Sequence, residues 1–185
     1  MAKLTHEMPS AGLVIVGPCQ RLSEWPDLLG TSQLLQDFSE AEADRLGALM
    51  LHVRATPGQE LIREGDASDW LMLLLQGTVD VGKRRIGAEG DSDALASSTR
   101  LAVVRAGAVL GEMSMFDGEP RYASCWALSE VEAAVIDRAG VARLIQAEPA
   151  VGAKLLVKLT QLLAQRLRNT SSQLVRVLRQ QQGPS

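Results

Sequence analysis

The chain has 185 residues, enough to bury a hydrophobic core without disulfides or metal ions, and its 46% apolar and 22% charged residues are those of an ordinary soluble protein. The net charge of -3 argues weakly against nucleic acid as the main partner, and the two distant cysteines fit a reducing compartment. No signal sequence and no apolar run long enough to cross a bilayer is found, so we expect a cytoplasmic protein without a membrane segment.

The N-terminal part is predicted to be an arm followed by a helix. Residues 1–30 contain three prolines and are expected to be irregular. Residues 39–42, Ser-Glu-Ala-Glu, form a capping box, in which a serine caps free backbone N–H groups and a glutamate reaches back. Apolar residues at helical spacing follow as far as Met50, so this box predicts the start of a helix, with His52 near its C-terminal end.

The middle of the chain is predicted to be mainly β. Short β-prone runs alternate with glycine and acidic turn residues, at 60–63, 70–75, 78–81, 101–104, 122–128 and 133–136. Many short strands with closely spaced turns are typical of a sandwich or barrel. The Gly-, Asp-, Ser- and Ala-rich stretch at 83–99 is expected to form a long hairpin loop.

Two helices are predicted at the C-terminal end. A short amphipathic helix at 138–147 stops before Pro149, and a long helix runs from about Val151 toward Arg179. Its apolar positions fall at steps of three or four residues if Thr170 is included; they are Leu156, Leu159, Leu163, Leu167, Leu174 and Val177. This heptad-like pattern fits pairing with a second helix and also fits packing on its own domain.

Residues 111–124 carry the chemistry that the sequence suggests. Gly111 allows a close backbone approach, and one helical turn from Glu112 would present free N–H groups to an anion. The guanidinium of Arg121 suits a phosphate, and Glu112 can accept hydrogen bonds from sugar hydroxyls. Together they would suit a ribose phosphate. On spacing alone, a surface salt bridge in a glycine-rich loop is the more ordinary interpretation.

This stretch closely resembles the phosphate-binding cassette of the cyclic-nucleotide-binding domain family. The resemblance is carried by residues 110–115, Leu-Gly-Glu-Met-Ser-Met, and 120–123, Pro-Arg-Tyr-Ala, and extends over about 32–178. It implies a jelly-roll-like β-roll of two sheets, flanked by an N-terminal helix and by C-terminal helices that include a long dimerisation-type helix. We expect an arm at 1–30, the binding domain at 31–148, and the long helix with a short tail at 149–185.

The resemblance also implies the ligand-binding residues, which are Gly111, Glu112, Met113, Ser114, Arg121, Tyr122, Ala123, Thr170 and Ser171. Glu112 would accept the ribose 2′-hydroxyl, and Arg121 would bind the phosphate oxygens. Backbone amides would complete the phosphate cradle. The Thr-Ser pair matches one that contacts adenine in catabolite-activator relatives. Tyr122 departs from the usual Ala, Ser or Thr, and it could stack on the base, hydrogen-bond to it or crowd the pocket.

The expected function is to bind a cyclic mononucleotide, cAMP ahead of cGMP, and to signal by helix movement to a homodimer or an unknown partner protein. No cofactor, metal or catalytic residue is expected, because no convincing catalytic histidine set can be assembled. The alternatives are a ligand-free or cyclic-dinucleotide-binding interaction module of the same fold and, more weakly, an enzyme. Since the sequence ends soon after the long helix, no DNA-binding domain is expected.

Overall fold

The structure is a computed structural model that describes residues 4, 8, 12–19, 21–84 and 98–181. Its strands are β1 (Val14–Pro18), β2 (Leu51–Ala55), β3 (Glu60–Ile62), β4 (Trp70–Gln76), β5 (Thr78–Arg84), β6 (Ser98–Arg105), β7 (Val109–Leu110), β8 (Ser124–Ala127) and β9 (Val131–Asp137). Its α-helices are α1 (Leu28–Thr31), α2 (Glu40–Gly47), α3 (Glu112–Asp117), α4 (Arg138–Ala147) and α5 (Pro149–Gln181), with a 3₁₀ turn at Leu22–Glu24.

The strands form two antiparallel sheets that face each other. One sheet has the order β1-β2-β9-β4-β7 and the other the order β3-β8-β5-β6. Side chains from both sheets share one buried cluster, which includes Val53, Met72 and Val135 from the first sheet and Leu61 and Val79 from the second. The predicted mainly-β fold, a β-roll flanked by helices, is confirmed.

A second core lies on the outer face of the five-stranded sheet, under the helices. Leu71 and Leu73 of β4 pack there with Leu46 of α2, Leu144 of α4 and Leu155 of α5. Strand β4 is therefore buried on both faces, which explains why its sequence is a continuous apolar run rather than an alternating one. This second core fixes the first half of α5 against the sheet.

The helix at 39–47 is confirmed with its capping box. The Ser39 hydroxyl accepts the N–H of Glu42 at 3.3 Å, and the Glu42 carboxylate accepts the N–H of Ser39 at 2.8 Å. His52, however, does not belong to this helix. It lies in β2, where its Nε2 is 2.5 Å from Oε2 of Glu132. The helix ends at Gly47, and the chain enters β2 at Leu51 after only three intervening residues, all of them apolar.

The prediction of an irregular arm is wrong for the 3₁₀ turn at Leu22–Glu24, for the start of α1 and for residues 14–18. Residues 14–18 form the edge strand β1, which pairs antiparallel with β2, and the register shifts between Ile15 and Gly17. Trp25 and Leu29, further along the arm, pack against the helical core. The arm's remaining residues 1–3, 5–7, 9–11 and 20 lie outside the described part, as do residues 85–97 of the predicted hairpin loop.

The long helix does not present one continuous seam to a partner. Leu159 is fully buried in the helical core of its own domain, and Leu156 packs against that core, so the seam prediction is wrong at these two positions. Leu167, Leu174 and Val177 are exposed. The sequence period does not distinguish the buried first half of the helix from its exposed second half, because leucines recur at three- and four-residue steps in both. No helix in the described residues has the length and apolarity needed to span a bilayer.

Candidate functional site

A pocket opens where α3, the segment before β8, and α5 meet the four-stranded sheet. It encloses about 490 Å³ including its open mouth. Its lining consists of Ile62, Val81, Leu101, Leu110, Gly111, Glu112, Met113, Ser114, Arg121, Tyr122, Ala123, Cys125 and Arg166. The structure thus brings together seven of the nine predicted ligand-binding residues, those at 111–114 and 121–123. Their roles toward a ligand remain predictions.

Glu112 is the first residue of α3 and is 1% exposed. Nη1 of Arg166 donates a hydrogen bond to its Oε1. Its other carboxylate oxygen, Oε2, is buried and has no hydrogen-bond partner among the described residues. A buried acceptor without a donor costs free energy, and almost all such groups in proteins are paired. Oε2 can therefore accept a hydrogen bond that no described residue supplies.

Arg121 is 3% exposed and is held by two separate segments of the chain, residues 66–70 and Gly111. Its guanidinium donates to Oγ of Ser68 at 2.7 Å, to the carbonyl of Gly111 at 2.5 Å and to the carbonyl of Trp70 at 2.7 Å. The guanidinium carbon also lies 4.3 Å from the centroid of the Trp70 ring. In addition, the backbone N–H of Arg121 donates to the carbonyl of Asp66 at 2.9 Å. These contacts fix a positive charge in the pocket wall.

Gly111 is required by this arrangement. Its φ of +76° lies in the left-handed region, and a Cβ at this position would collide with Nη1 of Arg121. The residue therefore ends β7, turns the chain into α3 and leaves room for the guanidinium. A glycine is therefore needed at this position of the cassette for a steric reason.

Arg166 is the one charged residue among the lining residues that the sequence did not predict; the others are Ile62, Val81, Leu101, Leu110 and Cys125. Its Nη2 donates to the carbonyl of Val109 at 2.5 Å while Nη1 contacts Glu112, so α5 is joined to the pocket floor. A usable signal was present, because the body-facing stripe of α5 through Leu155, Leu159 and Leu162 reaches position 166 one turn later. The three charged lining residues, Glu112, Arg121 and Arg166, leave the pocket with a formal charge of +1.

Thr170 and Ser171 are not brought to the pocket. Both are exposed on α5, one turn beyond Arg166, and neither lines the cavity. Their predicted contact with the base stays a prediction, and it requires α5 to move relative to the pocket mouth or a second helix to approach.

Cys125 lies at the apolar side of the pocket. Burial raises the pKa of its thiol to about 12, and the side chain is a free cysteine. A thiol with that pKa is almost entirely protonated near neutral pH, so it is a weak nucleophile. Cys125 therefore contributes an apolar surface to the pocket.

Comparison with known proteins gives consistent matches. A family model described as "Cyclic nucleotide-binding domain" matches residues 52–148, more than half of the chain. A crystal structure of a cyclic nucleotide-binding domain from Methylobacillus flagellatus aligns with a TM-score of 0.74 and 34% identity, and it covers 89% of this chain and 88% of that one. The catabolite activator protein of Thermus thermophilus aligns with a TM-score of 0.68 and 25% identity, covering 79% and 63%.

Curated relatives match over most of this chain but only part of their own. The CRP-like cAMP-activated global transcriptional regulator of Mycobacterium tuberculosis is 29% identical over 140 residues, which are 74% of this chain and 57% of the regulator. The cAMP-dependent protein kinase regulatory subunit of Yarrowia lipolytica is 26% identical over 133 residues, 72% of this chain and 32% of the subunit.

Proposed function

The chain belongs to the cyclic nucleotide-binding domain family, and on this premise we propose that it is a receptor for a cyclic mononucleotide, with cAMP preferred over cGMP. The preference for cAMP is supported by the mycobacterial relative, which is described as cAMP-activated. The receptor would need no cofactor and would work in the cytoplasm. We also propose the division into an arm at 1–30, a binding domain at 31–148 and a helix with its tail at 149–185.

The observation that carries the proposal is that one pocket contains both a buried acceptor without a donor and a buried positive charge. The buried Oε2 of Glu112 has no donor among the described residues, and a ribose hydroxyl is a neutral donor that fits it. The buried guanidinium of Arg121 provides a positive charge for a phosphate. A cyclic nucleotide offers both groups, and its single negative charge complements the pocket's formal charge of +1.

The remaining roles follow the family's pattern. Backbone amides of Met113, Ser114 and Ala123 are proposed to complete the phosphate cradle, since all three residues line the pocket beside Arg121. Thr170 and Ser171 are proposed to reach the base after α5 has moved.

Signalling is proposed to run through Arg166. Among the described lining residues it alone comes from α5, and it contacts the Glu112 carboxylate, to which the ribose is proposed to bind. A ligand that competes for or reinforces this contact favours one position of the helix over another. It shifts the equilibrium only by its difference in affinity for the two positions. The helix would pass the change to a second copy or to a partner protein.

The experiment is isothermal titration of the full chain and of Arg121→Ala with cAMP, cGMP and a cyclic dinucleotide in parallel. Removing a buried, charge-assisted contact costs roughly 2–5 kcal/mol, so we expect Arg121→Ala to lower the affinity about 30- to several-thousand-fold. Arg63→Ala is the control, because Arg63 is exposed and lies outside the pocket.

Three results would contradict the proposal. Equal binding by Arg121→Ala and wild type would place the site elsewhere. Binding of the cyclic dinucleotide alone would change the ligand class. Failure of the folded wild type to bind any of the three would favour a ligand-free interaction module.

A further inference from the structure

The mouth of the pocket is lined by large apolar side chains that are left open to solvent. Tyr122 is 58% exposed although the preceding Arg121 is buried, and Leu101 and Met113 stand exposed beside the same cavity. Tyr122 is the single tyrosine of the chain. An exposed apolar group at the rim of a charged pocket is a common mark of a ligand contact.

Lys83 holds Tyr122 in position through contacts with its ring and its carbonyl group. Nζ of Lys83 lies 4.1 Å from the centroid of the Tyr122 ring and donates a hydrogen bond of 2.8 Å to the Tyr122 carbonyl. The same ammonium donates to Oε1 of Glu64 at 3.0 Å. A cation over an aromatic ring is attracted to its face, so the ring and the ammonium hold each other in place.

Glu64 anchors Lys83 in turn. Its Oε2 accepts the backbone N–H of Arg84 at 2.9 Å, and its own N–H donates to Oγ of Ser124 at 2.9 Å. Burial works against ionisation of Glu64, but the bonds from Arg84 and Lys83 outweigh it and lower the pKa of this carboxyl. The carboxylate that orients Lys83 is therefore charged at neutral pH.

Lys83 covers one face of the Tyr122 ring without lining the pocket, and Tyr122 borders the cavity itself. We propose that Tyr122, positioned by Lys83, is the surface on which the base of the bound nucleotide stacks, an inference that rests on the proposed function. The ribose and phosphate are assigned to charged groups deeper in the pocket. The base is the planar apolar part that remains, and it lies toward the mouth.

Stacking on an aromatic ring accepts any base, because every base has a π-face. Tyr122 is therefore an affinity residue for the base and does not distinguish adenine from guanine. This separates stacking from the two other roles open to a tyrosine here. A hydrogen bond from its hydroxyl would favour one base, and crowding would weaken both.

The test measures affinities of wild type, Tyr122→Ala and Tyr122→Phe for cAMP, cGMP and ribose 3′,5′-cyclic phosphate, which lacks a base. Loss of base–aromatic stacking is expected to weaken Tyr122→Ala by roughly 5- to 150-fold for both nucleotides. Tyr122→Phe keeps the ring and should bind like wild type. The base-free ligand should bind wild type and Tyr122→Ala equally, because it has nothing to stack.

Lys83→Met keeps the length of the side chain and removes its charge. We expect about a 2- to 5-fold loss for the two nucleotides, since exposed cation–π contacts are weak, and none for the base-free ligand. Any of three results would overturn the inference. Tyr122→Ala could bind cAMP at least as tightly as wild type does, or it could lose as much affinity for the base-free ligand as for cAMP. Tyr122→Phe could also bind the nucleotides as weakly as Tyr122→Ala does. Absence of nucleotide binding by wild type would overturn the proposed function as well, whereas tight binding by wild type and by Tyr122→Ala would overturn the stacking alone.

Discussion

The Glu112 side chain combines two properties that a purely structural carboxylate rarely has. It is almost fully buried, and one of its oxygens has no donor in the described part of the chain while the other is paired with Arg166. A buried ion pair recovers its desolvation cost only when the remaining lone pairs are also satisfied. The folded domain thus retains a buried acceptor without a donor at the point where we propose that the ribose binds.

This need leads to a prediction for the ribose hydroxyl. Hydrogen bonds to charged groups contribute roughly 1.5–3 kcal/mol. Wild type should therefore bind 2′-deoxy-cAMP about 10- to 150-fold more weakly than cAMP. In Glu112→Gln the acceptor is neutral, so the ratio of the affinities for cAMP and 2′-deoxy-cAMP should fall to a few-fold. Titration of both proteins with both ligands measures the four affinities, and undiminished discrimination by Glu112→Gln would refute the role given to Glu112.

Among the elements, α5 is joined to the rest of the chain by several polar contacts, two of which lie about three turns apart. Near its start, Lys154 donates to both carboxylate oxygens of Glu42 in α2 at 2.7 Å. The hydrogen bond from Lys154, together with that from the Ser39 amide, lowers the pKa of Glu42 to about 2. Because the folded-state pKa is depressed, this tie is complete above about pH 4.5 and is lost as the pH falls toward 2. Three turns further on, Arg166 forms the second tie, to the pocket.

Removing each of these two contacts by a lysine- or arginine-to-methionine substitution gives a test variant and a matched control. Arg166→Met removes a partly exposed charge from the pocket, and we expect a loss of roughly 1–2 kcal/mol, or about 5- to 30-fold in cAMP affinity. The ligand-induced change in amide hydrogen exchange along the second half of α5 should also disappear. Lys154→Met removes an ion pair of the same helix outside the pocket, so it should leave both affinity and ligand response unchanged at pH 7.

The opposite pattern would be decisive against this coupling. If Arg166→Met kept the full exchange response of α5 to cAMP, the signal would have to reach the helix by another route.

At the scale of the whole molecule, the second half of α5 lies beyond the body with apolar side chains exposed. Leu167 is 69% exposed and Leu174 is 58% exposed, and Val175, Val177 and Leu178 accompany them. The first half of the helix has already buried its leucines against its own sheet. An apolar stripe of this length on a helix is best covered by another helix. We therefore propose that two copies pair along this half of α5.

The pairing has a direct test. Wild type should show a mass near twice 19.9 kDa in analytical ultracentrifugation. The double variant Leu167→Gln/Leu174→Gln should sediment as a monomer, since it places two polar side chains in the seam. Leu128→Gln alters an exposed leucine in the β8–β9 turn and should remain a dimer. A wild-type monomer with and without cAMP would refute the pairing.

Most of the features that are predictable from the sequence depend on interactions between neighbouring residues. The capping box at Ser39 and Glu42 was readable because both bonds join residues three positions apart. Most strands were found because turn residues separate them, and the cassette was found because its glycine, glutamate and arginine are fixed by contacts within one short segment. Strands β1, β2 and β7 were not predicted, because β1 adjoins prolines, β2 follows a helix closely and β7 is only two residues long, so none has a clear local signal.

The sequence by itself determined the β-roll class, the position of the cassette and the residue types that could hold a ribose phosphate. Only the tertiary structure decided that Glu112 is buried with one oxygen unpaired, that Arg166 reaches it across 54 positions of the chain, and that α5 is packed in its first half and exposed in its second. The physical reason is the range of the interactions. Turns, caps and periodicity are set by neighbouring residues, whereas burial and long-range ion pairs exist only once distant segments have packed together.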